Sequence, residues 1–126
     1  MTWPEVIRLC NRYGKPVASG AYTPGEALAA HESRANFVKI FPADQLGPQY
    51  IKNIRAPMPQ LQIIPTGGVT LETAASFIEA GCVALAAGSS LVTKEILKQR
   101  DWKKLTAITA SFVEAVSRAR IAVKQR

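Results

Sequence analysis

The chain has 126 residues, 48% hydrophobic and 20% charged, with a net charge of +7 at pH 7. That describes one modest globular domain; no apolar run approaches the roughly 20 residues of a membrane span, and the opening Met1-Thr2-Trp3-Pro4-Glu5 lacks the basic-then-apolar layout of a secretory leader. The positive charge leans on the C-terminal third, yet no aromatic-interleaved basic face or zinc spacing accompanies it, so nucleic acid is not an expected partner.

In chain order, Trp3-Pro4-Glu5 opens a helix that runs to Tyr13 and stops at Gly14, a C-cap signal. Residues 15–20 read as a short strand entering a glycine turn. Thr23, Pro24 and Glu26 then spell a capped helix start, and that helix ends near Arg34. Residues 37–41 form the second strand, and 44–55 hold a loop and a helix. A third strand at 61–65 leads into Thr66-Gly67-Gly68, and Thr70 caps the next helix, closed by Gly81. Residues 82–86 read as a fourth strand ending in Ala87-Gly88-Ser89-Ser90. After Asp101 comes a long amphipathic helix with Trp102, Leu105, Ile108, Phe112 and Val116 on one stripe. A helix followed by four βα units predicts an α/β fold of parallel strands. The strands are near-continuous apolar runs, which predicts burial on both faces. No linker divides the chain, so residues 1–126 are expected to form one domain. Cys10 and Cys82 lack metal-ligand spacing and read as free buried thiols of a cytoplasmic protein.

Lys39 is the third of six residues, Phe37 to Pro42, that are otherwise all apolar. An ammonium in such a strand loses its hydration shell, which disfavours its charged form. A neutral amine attacks carbonyl carbon, so Lys39 is a Schiff-base candidate. A lysine snorkelling from a strand end, or paired with a carboxylate, fits the same pattern. Function in such folds sits where strands end. Thr66-Gly67-Gly68 and Gly88-Ser89 are turns of that kind in consecutive βα units. Backbone N–H groups at such turns favour an anion, so a phosphate site is one reading, and tight turning alone is the other. His31 reads as a solvated helix residue, Arg55 and the last basic residues as helix-end cations. Asp44 either faces the site or caps the next helix. A single histidine leaves no Ser/His/Asp triad.

The strings Val38-Lys39-Ile40-Phe41-Pro42-Ala43, Ile64-Pro65-Thr66-Gly67-Gly68-Val69 and Ala87-Gly88-Ser89-Ser90-Leu91-Val92 resemble the KDPG/KHG aldolases. These are class I lyases acting on 2-keto-3-deoxy-6-phosphogluconate and 4-hydroxy-2-oxoglutarate. The resemblance runs from Val6 through the final helix. It implies a TIM barrel in which Lys39 forms an imine with pyruvate and no cofactor is needed. It implies that Gly67, Gly68, Gly88 and Ser89 belong to the phosphate turns and that Thr66 and Pro42 line the same cavity. Ser19-Gly20 matches the end of the fifth barrel strand. Ala87 stands where the family commonly has glycine, and Ser19 where it commonly has proline.

A TIM barrel needs about 200 residues or more, so the resemblance implies about half a (β/α)8 barrel, matching strands five to eight. The family's acid/base glutamate and carboxylate-holding arginine lie in the other half, and no residue here matches them. The expected substrate is a small keto acid or sugar phosphate. Open strand edges imply a homo-oligomer or pairing with a missing half-barrel. A phosphate-binding half-barrel without turnover, or a structural homo-oligomer, is the alternative to a lyase.

Overall fold

The computed structural model describes residues 2–125; the two ends of the expected domain, Met1 and Arg126, lie outside them, as does the helix-end role expected of Arg126. The elements run α1 (Pro4–Arg12), β1 (Ala18–Ala21), α2 (Pro24–Glu32), β2 (Phe37–Ile40), α3 (Gly47–Arg55), β3 (Ile63–Pro65), α4 (Leu71–Glu79), α5 (Lys94–Gln99) and α6 (Trp102–Lys124). The sheet order is β1-β2-β3, all parallel. The α/β class with parallel strands is therefore as expected.

Local chemistry sets most helix ends. The Thr23 side chain accepts from the Glu26 N–H, while the Glu26 carboxylate accepts from the Thr23 N–H, a reciprocal capping box. Thr70 and Thr73 make the same exchange at α4. Asp101 accepts from Lys104 N–H at 2.9 Å and starts α6. Gly14 and Gly81 follow α1 and α4 with φ of +61° and +99°, a conformation glycine adopts without steric cost. The short helix α5 was not anticipated, although Thr93 caps it through the Ile96 N–H at 3.2 Å.

The register decides which side chains share a face. Ser19, Val38 and Ile63 lie side by side, as do Ala21, Ile40 and Pro65, and all six are buried. This face meets the helices in one core with Ile7, Ala27, Ala30, Ile51, Ile54, Ala74 and Phe77. The opposite row holds Gly20, Lys39 and Ile64, with Ala18 and Phe37 a step earlier. None of these five is fully buried. The expectation of two buried faces is therefore corrected: apolar side chains alternate between a covered face and an open one.

The fourth strand is also corrected. Residues 82–87 join the sheet through one isolated bridge, Thr66 to Ala86. The Val83 N–H donates to Ile63 O and the Ala86 N–H to Pro65 O. Three residues thus advance along this segment while two advance along β3, the spacing of a bulge, and a regular ladder cannot form across it. The segment is nonetheless clamped from outside by α6, whose Arg120 Nη2 donates to Val83 O at 2.6 Å. Helix α6 rests mainly on α4, burying Phe112 and Ala119 and half-burying Leu105, Ile108 and Val116 of the expected stripe, whereas Trp102 is exposed.

Candidate functional site

Lys39 lies in the middle strand, between Gly20 and Ile64 on the open face. It is half-buried rather than buried, because this face of the sheet is not covered among the described residues. Its Nζ sits 5.2 Å from the centre of the Phe41 ring, within cation–π range. No carboxylate pairs with it among the described residues, whose salt bridges join Arg8 to Glu5, Lys104 to Glu95 and Arg118 to Glu114.

Thr66 follows β3, two residues beyond Ile64, and so lies on the same side as Lys39. Its Oγ1 is buried and has no hydrogen-bond partner among the described residues. A buried hydroxyl without a partner carries a desolvation cost of about 1–3 kcal/mol unless something else bonds it. Its backbone is fixed on both sides: the Thr66 N–H donates to Ile40 O, and Thr66 O accepts from the Ala43 N–H, each at 2.9 Å.

The glycine turns differ from one another. Gly67 and Gly68 have φ of +86° and +68°. A Cβ on Gly68 would lie 2.5 Å from Asp44 Cα, so this glycine lets the loop after the lysine strand press against the turn after β3. A Cβ on Gly67 would meet Ala43 N and Pro42 Cα at 3.5 and 3.6 Å, ordinary contact distances. Tight packing thus accounts for Gly68 without any ligand. Gly88 has nothing within 4 Å of a built Cβ, and both it and Ser89 are exposed. Ser90 Oγ donates to Val69 O at 2.5 Å and fastens the second turn beside the first.

Pro42 is exposed, follows Phe41 through a cis peptide, and touches the Gly67 turn. Lys39, Pro42, Thr66, Gly67 and Gly68 are therefore brought together, and Gly88 and Ser89 lie one turn away. Asp44 does not cap α3, which begins at Leu46-Gly47 with no side-chain cap. Arg55 ends α3 and donates to Pro59 O at 3.0 Å, a helix-end role. His31 is half-buried in the last turn of α2. Phe41 was not singled out from sequence; its signal was available, since a residue two positions after Lys39 projects from the same face. Among the described residues no cluster of His, Cys, Asp or Glu could hold a metal ion, and no helix is long and apolar enough to cross a membrane. Cys82 is buried, which pushes its thiol up to about 12 despite the nearby Arg55 cation, while Cys10 is only half-buried.

The family model "KDPG and KHG aldolase" matches residues 3–108. The 2-dehydro-3-deoxy-6-phosphogalactonate aldolase of Escherichia coli (strain K12) is 39% identical over 113 residues, 89% of this chain and 55% of that protein. The 2-dehydro-3-deoxy-phosphogluconate aldolase of Haemophilus influenzae is 27% identical over 90% of this chain and 54% of its own length. A solved structure described as "Native KDPGal structure" superposes with a TM-score of 0.77 at 38% identity, over 91% of this chain and 56% of that one. The chain spans about half the length of the relatives it matches. On the match of the family model to most of its residues, the chain belongs to the KDPG and KHG aldolase family.

Proposed function

We propose that this chain supplies the imine-forming half of a class I aldolase, built as about half a (β/α)8 barrel. The observation that carries the reading is Lys39 itself: a lysine without a carboxylate partner among the described residues, on the open face of a parallel sheet, two residues before the loop that packs on the Gly67-Gly68 turn. Lys39 Nζ attacks the C2 ketone of a 2-keto acid to give a carbinolamine, whose hydroxyl takes up a proton from solvent and leaves as water, yielding an iminium. The C3–C4 bond then breaks. Its electron pair moves toward the iminium to give an enamine, while the C4 hydroxyl gives up its proton and leaves as an aldehyde. Protonation of the enamine at C3 and hydrolysis by water release pyruvate and free Lys39. Phe41, over whose ring Nζ lies, forms the apolar wall beside the amine. The Thr66 hydroxyl, unpartnered among the described residues, is the donor available to the substrate's carboxylate or carbinolamine oxygen. Backbone N–H groups of the Gly67-Gly68 and Gly88-Ser89 turns, held side by side through Ser90, suit a terminal phosphate.

The resemblance assigns the proton-transferring glutamate to the other half of the barrel, and no residue here matches it, so turnover needs that other half. The higher identity to the galactonate enzyme than to the gluconate enzyme favours a six-carbon 2-keto-3-deoxy acid phosphorylated at C6, of galactonate configuration. Incubation with pyruvate and borohydride tests the chemistry without requiring turnover. One reduced pyruvate on Lys39, located by peptide mass mapping and absent from Lys39→Ala, is the expected outcome. A Lys39 that stays unmodified at saturating pyruvate overturns it.

A further inference from the structure

Tyr22 follows β1 at the level where the lysine strand ends. Gly20 lies beside Lys39 and Ala21 beside Ile40, and the Phe41 N–H donates to Ala21 O at 3.1 Å, so the pairing carries on to the strand ends. Tyr22 is thereby set beside Phe41, roughly one strand spacing of 4.8 Å away. Ala21 is 2% exposed on the covered face, whereas Tyr22, one residue on, is 42% exposed. Alternation gives the Tyr22 side chain to the open face, with Gly20 and Lys39. The same alternation holds one residue past the end of β2, where the Phe41 ring lies 5.2 Å from Lys39 Nζ.

Two helices hold this residue in place. Its N–H donates to Glu26 Oε2 of α2 at 2.8 Å, and its carbonyl accepts from Tyr50 Oη of α3 at 2.6 Å. Burial, then the neighbouring Tyr22 and Glu26, hold the Tyr50 phenol above its usual pKa, so it stays a donor through the neutral range. The phenol of Tyr22 takes no part in this clamp and makes no hydrogen bond among the described residues. A fixed backbone and an uncommitted donor on the face of the reactive amine suit a contact to substrate.

The direction of the substrate says which of its groups lies there. With C2 bonded to Lys39 and the phosphate at the turns after β3 and residues 82–87, the atoms from C3 to C6 run from β2 toward β3. The C1 carboxylate, on the other side of C2, then points toward β1, the opposite neighbour of β2. Of the β1 side on the open face, Ala18 and Gly20 have no side-chain donor, and Tyr22 has one. We infer that Tyr22 Oη donates a hydrogen bond to the C1 carboxylate of the bound keto acid and thereby selects 2-keto acids over simple ketones, a role that the resemblance gives to no residue of this chain. Thr66, on the β3 side, is left to the carbinolamine oxygen. The inference rests on the imine reading above and on its placing of the phosphate.

Borohydride trapping at Lys39 with graded pyruvate gives the concentration for half-modification. Tyr22→Phe, which removes only the hydroxyl, should raise it by about tenfold or more, the effect of one lost hydrogen bond to a charged group. Acetone offers the ketone without the carboxylate, and its half-modification should be the same in Tyr22→Phe as in the unaltered chain. Thr66→Val should weaken both ketones alike. Unchanged pyruvate trapping in Tyr22→Phe overturns the inference. So does an equal loss with acetone, which would mean that Tyr22 acts on the amine or on the fold. A Thr66→Val loss confined to pyruvate would put the carboxylate on the β3 side and overturn it too. A second readout needs no imine: with tyrosine rings labelled with carbon-13, pyruvate and not acetone should move the Tyr22 signal in the unaltered chain and in Lys39→Ala. That shift in a chain whose Lys39 is never trapped would count against the imine reading alone. Trapping without the shift would overturn the role of Tyr22 alone, and absence of both would overturn both.

Discussion

Replacing Gly68 by alanine should cost far more stability than the same change at the neighbouring turn glycines. The added Cβ would lie 2.5 Å from Asp44 Cα and 2.6 Å from Asp44 Cβ. The first is backbone and cannot swing away, so the two loops must separate, an overpacking cost of about 1–3 kcal/mol. The residue also sits at φ +68°, which costs a non-glycine residue about 1–2 kcal/mol. Together that is about 2–5 kcal/mol, a large part of the roughly 5–15 kcal/mol by which a domain of this kind is stable. At about 3–5 °C per kcal/mol for this size, Tm should fall by about 6 °C or more. Gly67→Ala has the left-handed backbone but only ordinary contacts, so it should cost about 1–2 kcal/mol. Gly88→Ala meets nothing within 4 Å and has no left-handed φ, so it should stay within about 0.5 kcal/mol. Thermal and urea unfolding followed by circular dichroism reads all three. A Gly68→Ala variant as stable as Gly88→Ala would refute the claim that Gly68 is there for packing.

Thr23→Ala removes half of the α2 capping box and should lower stability by about 1 kcal/mol, seen as a shifted urea midpoint. The Glu26 carboxylate accepts from the Thr23 and Tyr22 N–H groups, which hold its pKa below the usual carboxylate value. A folded-state pKa that is depressed contributes stability above the unfolded value of about 4.3 and loses it as pH falls through the folded one. Glu26→Gln should therefore flatten the acid side of a stability-versus-pH curve. A thiol reagent at pH 8 should label Cys10 quickly and Cys82 only after denaturation, since burial raises the Cys82 thiol to about 12. Equal labelling of both in the native state would mean that the 82–87 segment opens readily. Lys39→Met should abolish borohydride trapping while moving Tm by no more than a few degrees, because the side chain is half-exposed and its contact with Phe41 is worth about 0.5–1 kcal/mol.

What was legible in the sequence was what local chemistry decides. Thr23-Pro24-Gly25-Glu26, Thr70, Asp101, Gly14 and Gly81 mark helix ends because their partners lie within a turn of them. Lys39 stood out because a charge interrupts an apolar strand. The open face was not legible: Phe37 and Lys39 are apolar or amphipathic whether or not another layer covers them, so composition alone suggested burial on both sides. Nor was the irregular edge, since a one-residue excess over β3 depends on where Ile63 and Pro65 pair rather than on residues 82–87 themselves. Phe41 became part of the site only once the structure set its ring beneath the Lys39 amine, and the resemblance had already pointed to Thr66 without showing that its hydroxyl lacks a partner among the described residues.

The three-for-two spacing between residues 83–86 and β3 also bears on solubility. A straight open strand offers evenly spaced donors and acceptors, and any other extended peptide can zip onto it, which is how sheets grow into aggregates. A strand with an extra residue bends and sets its outward groups out of step. Arg120 further occupies Val83 O there. The edge is thereby less open to casual pairing than a straight strand of the same length would be.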